Sequence, residues 1–225
     1  MGACIKPPIY AIVTEFIEGG SLYSFLHASE NSGLRKQMKW EHKISMMFQI
    51  AQACLYLHQR NIIHRDLKSA NVLLDGAIPI AMVPKVCDFG LAKTTSKNSE
   101  MTQAVGTPLW MSPEVMIGNE YGSSCDVFSY SIIMYEVLVE RKPYFDLKET
   151  VTNIHFKVAQ NPDFRPTVPK DIVENSRDLS LMVHRSQLKF IEIMKRGWRH
   201  QPEERPKFDE IAAELEKMLG SIKGN

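Results

Sequence analysis

The sequence predicts an α+β fold in which helices dominate, and three observations carry that reading. One apolar, β-branched run stands near the start, apolar residues at helical spacing begin at Trp40, and the segment 125–139 is apolar on nearly every side. Strand first and helices afterwards gives a mainly helical body with a small β remnant at its N-terminal end.

Each element has a local cause. Residues 9–15 (Ile-Tyr-Ala-Ile-Val-Thr-Glu) read as a buried strand whose edge is left unpaired. Glu18-Gly19-Gly20-Ser21 breaks it, and Ser21 is placed to cap a short helix through His27. Polar residues 28–39 form a connector. From Trp40 onward, Ile44, Met47, Phe48, Ala51, Cys54, Leu55 and Leu57 recur at three and four, the wide stripe of a long amphipathic helix. Asn71 to Leu74 and Lys85 to Cys87 read as the two arms of a hairpin. The all-round apolar segment 125–139 predicts a centrally buried helix. Further helical patterns occupy 148–160, 187–199 and 207–219, the last with Phe208, Ile211, Leu215, Met218 and Leu219 on one side.

Composition narrows the function classes. With 225 residues the chain has enough material for one substantial core or two unequal lobes. Its 27 basic and 26 acidic residues nearly cancel, so no strong field points to nucleic acid or to a membrane surface. Cys4, Cys54, Cys87 and Cys125 have no regular spacing and read as reduced thiols of a cytoplasmic protein, not as a disulfide frame or zinc site. No apolar run is long enough to span a bilayer. The start Met1-Gly2-Ala3-Cys4-Ile5-Lys6 resembles a myristoylation signal, but Lys6 stands where that signal wants Ser or Thr.

The chemistry lies in His64-Arg65-Asp66-Leu67-Lys68-Ser69-Ala70-Asn71, followed by Asp88-Phe89-Gly90. A hydroxyl attacking the terminal phosphate of ATP needs a carboxylate to accept its proton. The phosphates need Mg²⁺, which prefers hard oxygen ligands. Asp66 fits the base, and Asn71 and Asp88 fit the metal ligands. These residues resemble the catalytic and metal loops of eukaryotic protein kinases.

The resemblance runs along essentially the whole chain, and with it the fold class becomes a kinase-like C-terminal lobe with a remnant small-lobe strand and hinge. It implies that residues 1–17 are the end of the small lobe and the hinge, and residues 18–225 the C-terminal lobe. It places adenine against the main chain of Glu15 and Ile17, with Thr14 as gatekeeper, Ser21 facing the ribose and Leu73 as the apolar floor. Lys68 is assigned to the transferred phosphate. Lys68 and Gly106-Thr107 are similar to Ser/Thr-directed kinases, while Trp198 to Phe208 is similar to tyrosine-kinase C-lobes. That mixture resembles the tyrosine-kinase-like group of Ser/Thr kinases, which implies ATP and Mg²⁺ as cofactors and a protein carrying a Ser/Thr acceptor as partner. Framework roles carry over to Glu114, paired with Arg205, and to Asp126, which holds the catalytic-loop backbone. Arg65 marks kinases whose activation loop folds onto a basic pocket when phosphorylated, and Thr94, Thr95, Ser96, Ser99 and Thr102 are the hydroxyls of that loop. Cys87 is either an alkylatable thiol or an inert packing residue.

Two segments, 76–84 and 171–187, are longer than the family pattern. The glycine-rich phosphate cover, the strand lysine and its glutamate partner have no counterpart ahead of Ile9, so the 225 residues are expected to be part of a longer kinase domain. Alone they are expected to bind Mg-ATP weakly and turn over little. Three readings follow: a protein Ser/Thr kinase as the activity of the parent chain, a non-catalytic lobe serving as a protein-binding module, or a fragment that does not fold stably.

Overall fold

A computed structural model describes residues 2–8, 10–28, 38–76, 82–89, 93–94, 108–174 and 181–223. The first two strands, β1 (Gly2–Cys4) and β2 (Ala11–Val13), form an antiparallel hairpin with Gly2 opposite Val13. This corrects the strand expected at 9–15 in two ways. It is shorter and paired along one edge, and it is exposed on both faces, with Ile12 82% accessible. Among the described residues the hairpin stands as a two-stranded sheet, without a second layer to bury its β-branched side chains.

Ser21 caps α1 (Leu22–Leu26), its hydroxyl accepting from the Ser24 N–H at 3.1 Å. Helix α2 (Trp40–Gln59) buries Ile44, Met47, Ala51 and Cys54 of the predicted stripe, together with Met46 and Ile50, while Phe48, Leu55 and Leu57 are only partly buried. After it come β3 (Ile62–Ile63), a 3₁₀ turn at Ser69–Asn71, β4 (Val72–Asp75) and β5 (Val83–Val86). Strands β4 and β5 pair antiparallel, with Val72 opposite Val86. Pro84 is tolerated within β5 because a two-stranded sheet leaves edge positions that need no N–H. Strand β3 pairs with β6 (Lys93–Thr94), which sequence reasoning did not foresee.

The helical body is built around α4 (Ser124–Val139), in which every residue from Cys125 to Val139 is buried. Its Tyr130 hydroxyl donates to the Met47 carbonyl of α2 at 2.7 Å, so the two helices are joined by a buried polar contact as well as by packing. The short α3 (Pro113–Met116) precedes α4. The remaining helices are α5 (Val151–Gln160), α6 (Lys170–Glu174), α7 (Leu181–Gly197) and α8 (Phe208–Lys223). Phe190 and Met194 of α7 and Phe208, Ile211 and Leu215 of α8 complete one core with α2 and α4. Gly197 sets how closely α7 approaches α4, since a Cβ there would lie 2.0 Å from Ser131 Oγ.

Helix α7 begins six residues before the predicted 187. Its first turns carry the polar His184, Arg185 and Gln187, which weaken the apolar signal without opposing helix formation. Part of the 171–187 segment is therefore helical. Residues 175–180 lie outside the described residues, as do 77–81 of the other long segment. Among the described residues no helix is long and apolar enough to cross a membrane.

Candidate active site

The site is held from below by α4. Asp126, buried in its first turn, accepts three hydrogen bonds from nitrogen: from His64 N–H at 2.9 Å, Arg65 N–H at 3.0 Å and His58 Nε2 at 2.9 Å. Two of these donors are backbone groups of the loop that carries Asp66. The clamp matters because Arg65 sits in the left-handed region with φ of 71°, which costs a residue with a side chain roughly 1–2 kcal/mol. A fixed carboxylate aimed at two successive N–H groups holds the loop in that shape.

Within the loop, Asp66, Lys68 and Asn71 come together. Lys68 Nζ lies 2.6 Å from Asp66 Oδ2, while the Asn71 side-chain amide donates to the Asp66 carbonyl at 2.8 Å and to Asp66 Oδ2 at 3.2 Å. The carboxylate is thereby oriented by a cation and an amide. Since the NH₂ of Asn71 is used on Asp66, its Oδ1 is the end suited to a cation.

Asp88 reaches the same place through the hairpin register. The Asn71 carbonyl accepts from Cys87 N–H at 2.9 Å, so the two arms end side by side and Asp88 is the next residue. Asp88 also has a left-handed backbone, with φ of 64°. His64 ties the two loops together. Its Nε2–H donates to the Cys87 carbonyl at 3.0 Å, its Nδ1 faces Asp66 N–H at 3.4 Å, and its ring lies 5.3 Å from that of Phe89. Those contacts require the neutral Nε2–H tautomer. The side-chain oxygens of Asn71 and Asp88 are hard donors of the kind Mg²⁺ selects. Two protein ligands, with phosphate and water completing the shell, is the usual way this ion is held. The set fits Mg²⁺.

The segment ahead of α1 is stitched to β4 by backbone contacts. Leu74 N–H donates to the Gly20 carbonyl at 2.9 Å, and Ser21 bridges to Leu73. Lys85 Nζ reaches both Glu15 Oε2 and Asp75 Oδ2 at 2.8 Å, joining the Glu15 side chain to the hairpin. Thr14 and Glu15 are exposed, whereas Ile17 is buried. Gly19 permits this approach, since a Cβ there would fall 2.1 Å from the Leu74 carbonyl oxygen. Gly19→Ala is expected to destabilise the fold by about 1–3 kcal/mol, as overpacking does. It should also weaken nucleotide binding more than turnover at saturating ATP. Thermal denaturation and ATP titration check both; an unchanged Tm would mean that the segment around Gly19 is free to move off β4.

Farther off, Glu114 of α3 and Arg205 form a buried two-pronged pair, with contacts of 2.6 and 2.8 Å. Arg65 Cζ lies 5.6 Å from the centre of the Tyr121 ring. Gly90, Thr95, Ser96, Ser99, Thr102 and Thr107 lie outside the described residues, and for Thr94 only the backbone is described. Burial, reinforced by the neighbouring Asp88 carboxylate, raises the pKa of the half-buried Cys87 thiol. A thiol kept protonated is a poor nucleophile, which favours the packing reading.

Sequence reasoning missed Glu136. Fully buried on α4, it accepts from His27 Nε2 and Ser69 Oγ at 2.9 Å and from Trp110 Nε1 at 2.7 Å. It thus joins α1, the loop after Asp66 and the segment before α3. Burial raises its pKa against the opposing pull of those donors. A lone acidic residue late in an otherwise apolar helix was the available signal, since a buried carboxylate must have partners.

Comparisons with known proteins point to one family. The family described as protein tyrosine and serine/threonine kinase matches residues 1–215. The serine/threonine-protein kinase STY46 of Arabidopsis thaliana is 37% identical over 99% of this chain, which spans 34% of that relative. The serine/threonine-protein kinase CTR1 of the same plant is 34% identical over 98% of the chain, spanning 24% of the relative. Mitogen-activated protein kinase kinase kinase 7 of Bos taurus is 33% identical over 99% of the chain, spanning 34% of the relative. The chain thus covers about a third or less of these curated relatives, and by the match to residues 1–215 it belongs to the protein tyrosine and serine/threonine kinase family.

Proposed function

We propose that this chain carries the catalytic and metal loops of a protein kinase that transfers the γ-phosphoryl group of ATP to Ser or Thr of a protein. The observation that carries the reading is the Asp66–Lys68–Asn71 cluster beside Asp88, fixed from below by Asp126. In the reaction, the acceptor oxygen forms a bond to the γ-phosphorus while the bond from that phosphorus to the bridging oxygen of ADP breaks. The acceptor proton passes to the Asp66 carboxylate. Lys68 offers a point charge to the moving phosphoryl group. Asn71 and Asp88 would hold Mg²⁺, which would supply neutralisation of the phosphate charge. Nucleotide would lie against the main chain of Glu15 and Ile17, beside Thr14 and Ser21, above Leu73.

By this reading residues 1–17 are the end of a small lobe and the hinge, and 18–225 the C-terminal lobe. The assay is therefore run on a complete kinase domain carrying this lobe, with labelled ATP and phosphoamino-acid analysis. Label on Ser or Thr, dependent on Mg²⁺ and lost in Asp88→Asn, is the expected result. Phosphotyrosine as the main product would overturn the reading of Lys68, and transfer surviving without a divalent ion would overturn that of Asp88.

A further inference from the structure

The register of the β4–β5 hairpin places three side chains together. Leu73 lies opposite Lys85 and Asp75 opposite Val83, so Leu73, Asp75 and Lys85 share one face. From that face Lys85 reaches its diagonal neighbour Asp75 and, off the hairpin, Glu15, with Nζ 2.8 Å from each carboxylate. Its side chain is 32% accessible, against 58% for Glu15 and 47% for Asp75, so the lysine is the most sheltered of the three. A lysine lays its methylenes along apolar surface and keeps its ammonium outside. Here the cross-strand neighbour is Leu73, so the stem runs beside that side chain and the ammonium ends at its rim.

What Lys85 holds has little else to hold it. Tyr10, Ile12, Val13 and Phe16 are exposed, Phe16 at 87%, and burial begins only at Ile17. Among the described residues Lys85 is the one ion-pair partner of Glu15. The backbone from Tyr10 to Phe16 is thus positioned by its pairing with β1 and, at Glu15, by Lys85. An isolated surface pair is worth little, but one cation shared by two acids on different segments is a network. The hydrogen bond to Asp75, and then that to Glu15, raises the pKa of Lys85, so the ammonium stays charged.

We propose that Lys85 is a positioning residue for the adenine nucleotide, a role that rests on the kinase reading above. In that reading the purine edge meets the main chain of Glu15 and Ile17, and its face lies on Leu73. Lys85 is bound to the first and neighbours the second, so it sets the gap that a flat ring enters. Asp75 competes for the same cation. Removing the Asp75 charge therefore tightens the hold on Glu15, whereas removing the Glu15 charge releases it. The effect falls on nucleotide affinity and not on the chemical step, because Asp66, Lys68 and Asn71 are held by contacts that Lys85 does not share.

The test uses a complete kinase domain carrying this lobe, with calorimetry of ADP binding and steady-state ATP kinetics. Lys85→Met keeps an unbranched apolar stem and removes the charge. At low salt it is expected to raise the ADP Kd and the ATP KM together by about threefold to fivefold, the range of an exposed ion pair. Its kcat at saturating ATP should change by less than about twofold. Near 1 M salt, where the screening length is about 3 Å, native and Lys85→Met domains should bind ADP alike. Glu15→Gln should repeat Lys85→Met, and Asp75→Asn should bind ADP at least as tightly as the native domain. The charge swap Glu15→Lys/Lys85→Glu should recover most of the affinity that Lys85→Glu loses. Opposite shifts in Lys85→Met and Glu15→Gln would mark a long-range charge effect on an anionic ligand and overturn the proposal. So would native ADP affinity in Lys85→Met at low salt, a loss that falls on kcat, or a loss in Asp75→Asn as large as in Glu15→Gln. A native domain that binds no adenine nucleotide would overturn the kinase reading together with the role of Lys85, whereas the preceding results overturn that role alone.

Discussion

Asp66→Asn is expected to lower the turnover of a complete kinase domain by about 10²–10⁴-fold, the range general acid–base catalysis supplies. The substitution is informative because it changes little else. An amide oxygen still accepts from Lys68 Nζ and from the Asn71 amide, the two groups that orient the Asp66 side chain. Loop geometry is set separately by Asp126, through backbone N–H groups of His64 and Arg65 that the substitution does not touch. ATP affinity and Tm should therefore stay near their native values while the chemical step fails, because an amide does not take up the acceptor proton. Steady-state kinetics with nucleotide titration separates these effects. Near-native turnover with an unchanged pH profile would show that Asp66 is not the base.

The difference between what the sequence disclosed and what it hid has a physical pattern. The helices over Trp40–Gln59 and Ser124–Val139 were legible because each has a spacing that only one burial pattern satisfies. The loop chemistry was legible for another reason: a carboxylate, a lysine and an asparagine packed into six residues have few other uses. What stayed hidden depends on long-range closure. His58 and Glu136 look like ordinary helix residues until α4 brings Asp126 to one and α1 and Trp110 to the other. The strand read as buried at 9–15 failed for the complementary reason. β-branched composition reports a preference for pleated backbone, but burial depends on which layer lies across from it. In α7 the reading of 187–199 followed the apolar residues alone, and polar first turns do not stop a helix.

The loop that carries Asp66 is supported in depth, since Asp126 holds it and the first turn of α4 is itself held by Arg205. That arginine uses all five of its N–H donors. Two go to Glu114 at 2.6 and 2.8 Å, and the others to the carbonyls of Ser124 at 3.0 Å, Arg199 at 2.8 Å and His200 at 2.9 Å. Ser124 is the first residue of α4, two before Asp126, so the anchor and the clamp share one turn of helix. Arg205→Leu leaves the Glu114 carboxylate buried without its counter-charge and takes the side-chain donor from the carbonyls of Arg199 and His200. The expected loss is about 3–5 kcal/mol, the usual cost of stranding one partner of a buried pair. Arg205→Lys should recover only a minor part, because an ammonium has three donors and cannot reproduce a planar fork that spans five acceptors. Glu114→Leu combined with Arg205→Leu should cost less than Arg205→Leu alone, since the stranded charge is then gone. Urea denaturation of the native protein, Glu114→Leu, Arg205→Leu and the double variant gives the cycle directly. If Arg205→Leu costs under about 1 kcal/mol, or if the double variant is the least stable of the set, then Glu114 is not stranded by the loss of Arg205 and the anchor of α4 lies elsewhere.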